Sequence, residues 1–309
     1  MPDSKLRERL RRLEPDTVEI RPLQLLVEER RRLVNEKTRQ KNRLTAKLKL
    51  YYPQLLQWFD QIDTPLVCDL LERWPTLQAL QRAQAATLES FFAQHRYRHR
   101  QRYQQWWESL RQAVPATQDA ALLLAASLAV RTLVRLLGQL RRGIAELDEQ
   151  IQQQAAAHQD FALFKSLPAA GAVLAPRLLA AFGSRRERFQ KAADLQAYSG
   201  IAPVVERSGQ RQITRFRWAA PLFLRQSFHE FAAFSIRKSI WAKAYYQQQR
   251  AQGKSHHCAV RALAFKWIRI LYRCWQNGTP NDEGLYLAAL ARRQSPLAAA
   301  LVAAPVNAA

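Results

Sequence analysis

Residues 119–154 read DAALLLAASLAVRTLVRLLGQLRRGIAELDEQIQQQ, and this stretch decides the fold. Leu123, Val130, Leu137, Ile144 and Ile151 recur every seven residues, and Ala126, Leu133, Leu140 and Leu147 fill the second position of the repeat. A sustained seven-residue repeat keeps one apolar seam on one side of a helix, which is the pattern of a coiled coil. It predicts a long helix that pairs through this seam, either with another helix of the chain or with a second subunit.

Upstream, residues 21–50 (RPLQLLVEERRRLVNEKTRQKNRLTAKLKL) place Leu23, Leu26, Leu33, Leu44 and Leu48 on one helical stripe edged by Val27 and Val34, which makes this segment the obvious intrachain candidate for the seam, although pairing between subunits would satisfy the same stripe. From Arg30 to Lys49 nine Lys or Arg residues face one Glu, so the helix offers a basic surface to phosphates or to solvent. Arg39, Lys41 and Arg43 are the candidate RNA- or DNA-binding residues there. Between the two segments, Pro53, Pro65, Pro75 and Pro115 punctuate short helices, with Asp63-Thr64-Pro65 and Trp74-Pro75-Thr76 as helix starts. The run from His95 to Tyr103 interleaves cations with aromatics, a pattern that stacks on bases or simply forms a basic helix surface.

Composition agrees with a helical protein. The 309 residues hold only nine glycines, and 48% are hydrophobic, dominated by Leu and Ala. The expected fold class is mainly α: a long helical coiled coil plus a helical, helix-hairpin-helix-like DNA-binding domain with a small β-hairpin or extended loop. The expected division is an N-terminal remnant at 1–20, a helical linker and coiled-coil region at 21–158, a C-terminal domain at 159–293 and a disordered tail at 294–309.

The formal charge of +23 and pI near 10.8 favour polyanionic partners. From Lys165 to Arg273 there are 20 Lys or Arg residues against four acids, Glu187, Asp194, Glu206 and Glu230, so most of the excess lies in the C-terminal half. No apolar run reads as reaching the roughly 20 residues needed to span a bilayer, and the N-terminus lacks the apolar middle of a signal peptide, so a cytoplasmic protein with no membrane partner is expected. Cys68, Cys258 and Cys274 form no C-x-x-C pair and read as buried thiols. His256-His257-Cys258 point in different directions on a helix, so no metal site is assigned.

Two elements of the basic half could carry chemistry. Leu167 to Ala175 (LPAAGAVLA) precedes a short helix that ends at Gly183 and looks like a helix-hairpin-helix element, in which a glycine-bearing turn opens a helix whose free N–H groups face a phosphate. Gly171 is one of the two usual glycines, and Ala169 stands where the other would be. Lys165 and Arg177 flank the element as DNA-binding candidates. The second element is SGIAPVVERSGQR, residues 199–211, with β-prone residues before and after a Ser208-Gly209 turn. Ser-Gly is ordinary turn chemistry. Its neighbours Arg207, Arg211, Arg215 and Arg217 would also neutralise a phosphate and favour the alkoxide of a nucleophilic serine. His229 and Glu230 are helix-surface residues for which either a proton-transfer or a structural role is open.

With those residues in view, positions 165–290 resemble the C-terminal transposase domain of the insertion sequence 110 family, also labelled insertion sequence 116/110/902. The runs that carry the resemblance are LPAAGAVLAPRLLAAFGS, FQKAADLQAYSGIAPVVERSGQRQ and AYYQQQRAQGKSHHCAVRALAFKWIRILYRCW, and RRRLVNEKTRQKNRL resembles the basic helix opening that family's coiled coil. The resemblance implies a DNA transposase in which Ser208, followed by Gly209, is the catalytic nucleophile that forms a phosphoserine link to DNA. It also implies double-stranded DNA and a structured bridge RNA as partners, and a homo-oligomer. Family members begin with a RuvC-like domain carrying a DEDD set of metal-binding acids. This chain starts about where that domain ends, so truncation is expected, no cofactor is assigned to the chain and magnesium is expected only with such a domain. Whether the chain acts as an enzyme is left open. The alternative is a catalytically inactive nucleic-acid-binding remnant that oligomerises with an intact transposase.

Overall fold

The computed structural model describes residues 15–96, 100–209, 211–215 and 217–297, with the side chains of 100–104 also outside the description. The described chain is mainly α-helical, with one two-stranded antiparallel sheet. It divides into two compact units, one made of Arg30–Leu147 and the other of Met1–Glu29 with Asp148–Ala309. The boundary expected near residue 158 lies just beyond the end of the long Ala120–Ala156 helix.

In the Arg30–Leu147 unit part of the heptad seam is core, while Leu123, Leu140, Ile144 and Leu147 are half-buried. Ala126, Val130, Leu133 and Leu137 are buried together with Leu44, Leu48 and Tyr51 from the Arg21–Tyr51 helix and with Tyr52 just beyond it. The core is completed by short helices that carry Leu55, Leu70, Leu71, Leu77, Leu88 and Phe91. The seam is therefore covered by a globular helical cluster, because the proline-broken segments supply apolar faces of their own. The long helices approach at Gly143, where a Cβ would lie 3.4 Å from Leu33 Cδ1. The helix starts follow the sequence signals. Thr64 accepts from Val67 N with Pro65 at the first turn, and Thr76 accepts from Ala79 N.

One expectation is corrected here: the Ala120–Ala156 helix is long and apolar enough to cross a membrane by length and composition. Only Arg131 and Arg135 are charged over its first twenty residues. Part of that apolarity serves the core described above, while Leu124, Leu128 and Leu136 are exposed.

The second unit is built around aromatic side chains. Trp241, Trp267, Trp275, Phe182, Phe228 and Phe231 are fully buried, each removing about 150–250 Å² from water. The indole N–H groups of two of them are satisfied: Trp267 Nε1 donates to Ser235 Oγ at 2.8 Å, and Trp275 Nε1 donates to the Gly183 carbonyl at 3.1 Å. The helices Gly171–Phe182, Ala192–Tyr198, Leu222–Ser235, Ile240–Ala251 and His256–Asn277 pack about this cluster.

The chain's beginning is tied into the same unit through Asp16. Its buried carboxylate accepts from Thr17 N, Ser184 N, Arg185 N, Gln24 Nε2 and Arg188 Nη1 at 2.9–3.3 Å. Residues 1–14 of the expected remnant and 298–309 of the expected tail lie outside the described residues. Leu297, inside that tail, is buried. Cys68 and Cys274 are buried thiols as expected, whereas Cys258 is exposed near the start of the His256–Asn277 helix, since only the opposite face of that helix meets the core.

Candidate nucleic-acid site

The Ser-Gly element folds as a hairpin. Strand β1, Val204–Ser208, pairs antiparallel with β2, Arg211–Arg215. Val204, Val205, Ile213 and Thr214 supply β-branched residues to the ladder. Gly209, at φ +57°, opens a two-residue connection that calls for a positive φ at this position. The hairpin is anchored at its base: the Gln196 carbonyl accepts from both Ile201 N and Ala202 N, and buried Gln196 donates from Nε2 to the Phe265 carbonyl at 2.7 Å.

Register sorts the expected residues. Ser208 lies opposite Arg211, Glu206 opposite Ile213, and Val204 opposite Arg215. Strand alternation puts all six on one face. Arg207 falls on the other face, where its Nε donates to Gln212 Oε1 at 3.1 Å. Of the four arginines expected around Ser208, Arg211 and Arg215 share its face, Arg207 does not, and Arg217 lies beyond the end of β2. Glu206 was missed as a member of this face although the period-two pattern contains it. It pairs with Arg215 Nε at 3.0 Å, and both are more than half exposed. Ser208 and Gly209 are exposed at the tip, and a Cβ on Gly209 would meet nothing within 4 Å.

A turn with two positive-φ residues precedes the Gly171–Phe182 helix. Phe161–Lys165 is a short helix packed against it, and Ala169 and Gly171 both have positive φ, +65° and +50°. Ala169 thus adopts the conformation for which a glycine would be the ordinary choice. The helix has no capping side chain, and Gly171, Ala172 and Val173 are exposed, so its first N–H groups open onto the surface. Lys165 is exposed as well.

Arg177 is a correction. It is 4% exposed, donates from Nε to Ser227 Oγ at 3.2 Å, pairs through Nη1 with Glu230 at 2.5 Å and lies over the Phe223 ring. It joins two helices inside the unit and offers no surface to DNA. The same pair engages Glu230, leaving no free carboxylate for proton transfer. His229 lies beside His257, with ring centroids 5.7 Å apart. Burial first, and then the interaction with His257 and the charge of Arg261, hold its imidazole below the ordinary range.

In the other unit, Lys41 and Lys37 both pair with Asp63, at 2.8 and 3.1 Å. Burial pushes the Asp63 carboxyl up, and the hydrogen bonds and charges of Lys41 and Lys37 more than offset it, so the group lies below the ordinary carboxylate range. Lys41 is thus committed within the fold. Arg39, paired with Glu36 at 3.1 Å, and Arg43, which donates to Gln40 Oε1 at 3.1 Å, remain exposed. His95 is half-buried against Phe91 and lies 3.4 Å from Asp69. Residues 97–99 and the side chains of 100–104 in that run lie outside the described residues. Among the described residues no group of three or more His, Cys, Asp or Glu is placed to hold a metal ion.

Residues 161–247, spanning both the open helix start and the hairpin, match the family described as Transposase IS116/IS110/IS902. This segment belongs to that family. The mini-circle protein proposed as the transposase for IS117 in Streptomyces coelicolor is 31% identical over 126 residues, covering 41% of this chain and 30% of that protein. The IS900 42 kDa protein of Mycobacterium paratuberculosis is 31% identical over 131 residues, or 42% of this chain and 33% of that one. The IS110 43.6 kDa protein of Streptomyces coelicolor is 28% identical over 262 residues, 80% of this chain and 61% of the relative. The chain therefore spans between about a third and three fifths of these relatives. The IS116/IS110/IS902 segment contains Ser208, Arg211 and Arg215 and the whole of the hairpin.

Proposed function

We propose that the chain takes part in DNA transposition and that Ser208 is the nucleophile of its strand-transfer step. The observation that carries this reading is the exposed hydroxyl at the hairpin tip with Arg211 directly opposite and Arg215 on the same face. In the step, a bond forms between Ser208 Oγ and a backbone phosphorus as the bond to one bridging oxygen breaks. The serine gives up its proton and the departing oxygen takes one. Charge builds on the equatorial phosphate oxygens, where the guanidinium of Arg211 stabilises it. Double-stranded DNA is the substrate, gripped by the hairpin arginines, Lys165 and the open helix start at Gly171. A structured guide RNA binds the exposed cations Arg39 and Arg43 of the basic helix, and the protein works as a homo-oligomer in the cytoplasm. The charge of +23 supports both polyanionic partners.

The test is a covalent protein–DNA adduct trapped on a denaturing gel after co-expression with an intact relative and a plasmid carrying that relative's element ends. Wild-type chain should form the adduct and Ser208→Ala should not. An adduct carried by the Ala variant would remove Ser208 from the role. A wild-type chain that binds DNA and never forms the adduct would select the second reading, a binding partner of an intact transposase without catalysis of its own.

A further inference from the structure

Three residues beyond the end of β2 the chain displays Trp218 with 83% of its surface exposed. The other tryptophans with a described burial are buried or half-buried, and leaving an indole in water forfeits the transfer energy of a large apolar group. Its backbone, in contrast, is held firmly. Arg225 Nη2 donates to the carbonyls of Arg217 and Trp218 at 2.8 and 3.2 Å, and Ala220 N donates to the Trp218 carbonyl at 2.9 Å. Gly200 packs directly beneath, where a Cβ would lie 2.6 Å from Ala220 Cβ and 3.0 Å from Arg225 Nε. This is an exposed ring on a fixed backbone, three residues beyond the strand that carries Arg211 and Arg215.

We propose that Trp218 stacks on an unpaired nucleobase of the DNA held by the hairpin, and so positions the strand for the step assigned to Ser208. Charge complementarity argues for this occupant: the arginines of the neighbouring hairpin attract a phosphate backbone, and any base exposed along that backbone offers a π-face to the indole. The fixed backbone lowers the conformational entropy lost when the ring engages. The proposal rests on the nucleic-acid reading of the hairpin and adds to it a preference for unpaired over paired DNA. Trp218 is a positioning residue and takes no part in bond making.

The experiment measures the affinity of the full chain for two labelled oligonucleotides of equal length, one a complete duplex and one with a three-nucleotide single-stranded gap. Trp218→Ala should weaken binding to the gapped duplex by about 5- to 150-fold and leave the complete duplex within about twofold. Trp218→Phe should recover most of the loss. The salt dependence should keep its slope in both variants, because no cation is removed, whereas Arg215→Ala should lower the slope by about 0.9. A slope that fell in Trp218→Ala would assign the residue a structural role in presenting the arginines and overturn the stacking proposal. Equal losses on both oligonucleotides would overturn it too, and unchanged affinity would leave a protein surface as the partner of the indole. A wild-type chain that bound neither oligonucleotide would defeat the nucleic-acid reading itself, which separates that failure from the failure of stacking alone.

Discussion

Gly183→Ala should be among the most damaging single substitutions in the second unit, and the cause should be traceable to one atom. Gly183 caps the Gly171–Phe182 helix at φ +78° and ψ −169°, a backbone region that side chains rarely enter. An added Cβ would lie 1.7 Å from Asp16 Oδ2 and 2.8 Å from its Cγ. The backbone strain costs about 1–3 kcal/mol. Moving the Asp16 carboxylate away from its five donors, Arg188 among them, costs about a further 3–5 kcal/mol, the usual penalty for breaking a buried charged pair. The total, about 4–8 kcal/mol, is comparable with the whole stability of a domain. Asp16→Ala removes both atoms that the Cβ meets most closely, so in that background Gly183→Ala should cost only the strain. Urea unfolding of the four members of this cycle, read by circular dichroism, should give a coupling of at least about 2 kcal/mol. Equal costs of Gly183→Ala in the two backgrounds, or a cost below about 1 kcal/mol with Asp16 present, would refute the reasoning.

Arg177→Met should destabilise the unit by about 2–4 kcal/mol through loss of the Glu230 pair and the Ser227 hydrogen bond, while DNA affinity at low salt stays within about twofold. A large affinity loss in a variant that still folds would return Arg177 to the DNA surface. Stability should also fall as pH drops. His158 and His229 both lie below the ordinary histidine value of about 6.5, His158 through burial first and the charge of Arg186, His229 through burial first and then the nearby His257 and Arg261. The unfolded chain then binds protons before the native one, so their contribution is complete above about pH 7 and declines as pH falls through 6.5 toward the lowered native values. Urea midpoints at pH 7.5, 6.5 and 5.5 should fall in that order, and a flat or rising series would contradict the assignment.

The helical class and the starts of the short helices were legible in local pattern, because apolar spacing and capping chemistry act within a few residues. Thr64 and Thr76 cap where their sequence signals place them. The hairpin was legible for the same reason: β-branched residues on either side of Ser-Gly leave a tight turn as the local solution. The helix that carries Leu44 and Leu48 was legible as one partner of the heptad seam, but the short helices that complete its cover were not, because a stripe that is apolar every seven residues is satisfied equally by a second long helix or by several short ones. Arg177 misled for a related reason. A cation in a basic region looks like a phosphate contact until Glu230, 53 residues away, is known to face it.

By itself, the sequence determined which segments are helical, where the β-turn falls, how strongly the chain attracts polyanions and which runs carry the family resemblance. These follow from composition and short-range periodicity. Tertiary structure alone decided which charges are free to act. It buried Arg177, tied Lys41 to Asp63, separated Arg207 from the face that Ser208 shares with Arg211 and Arg215, and fixed the backbone beneath an exposed Trp218. The physical reason is that a side chain's availability depends on desolvation and on partners brought from distant positions, and neither is encoded in the residues beside it.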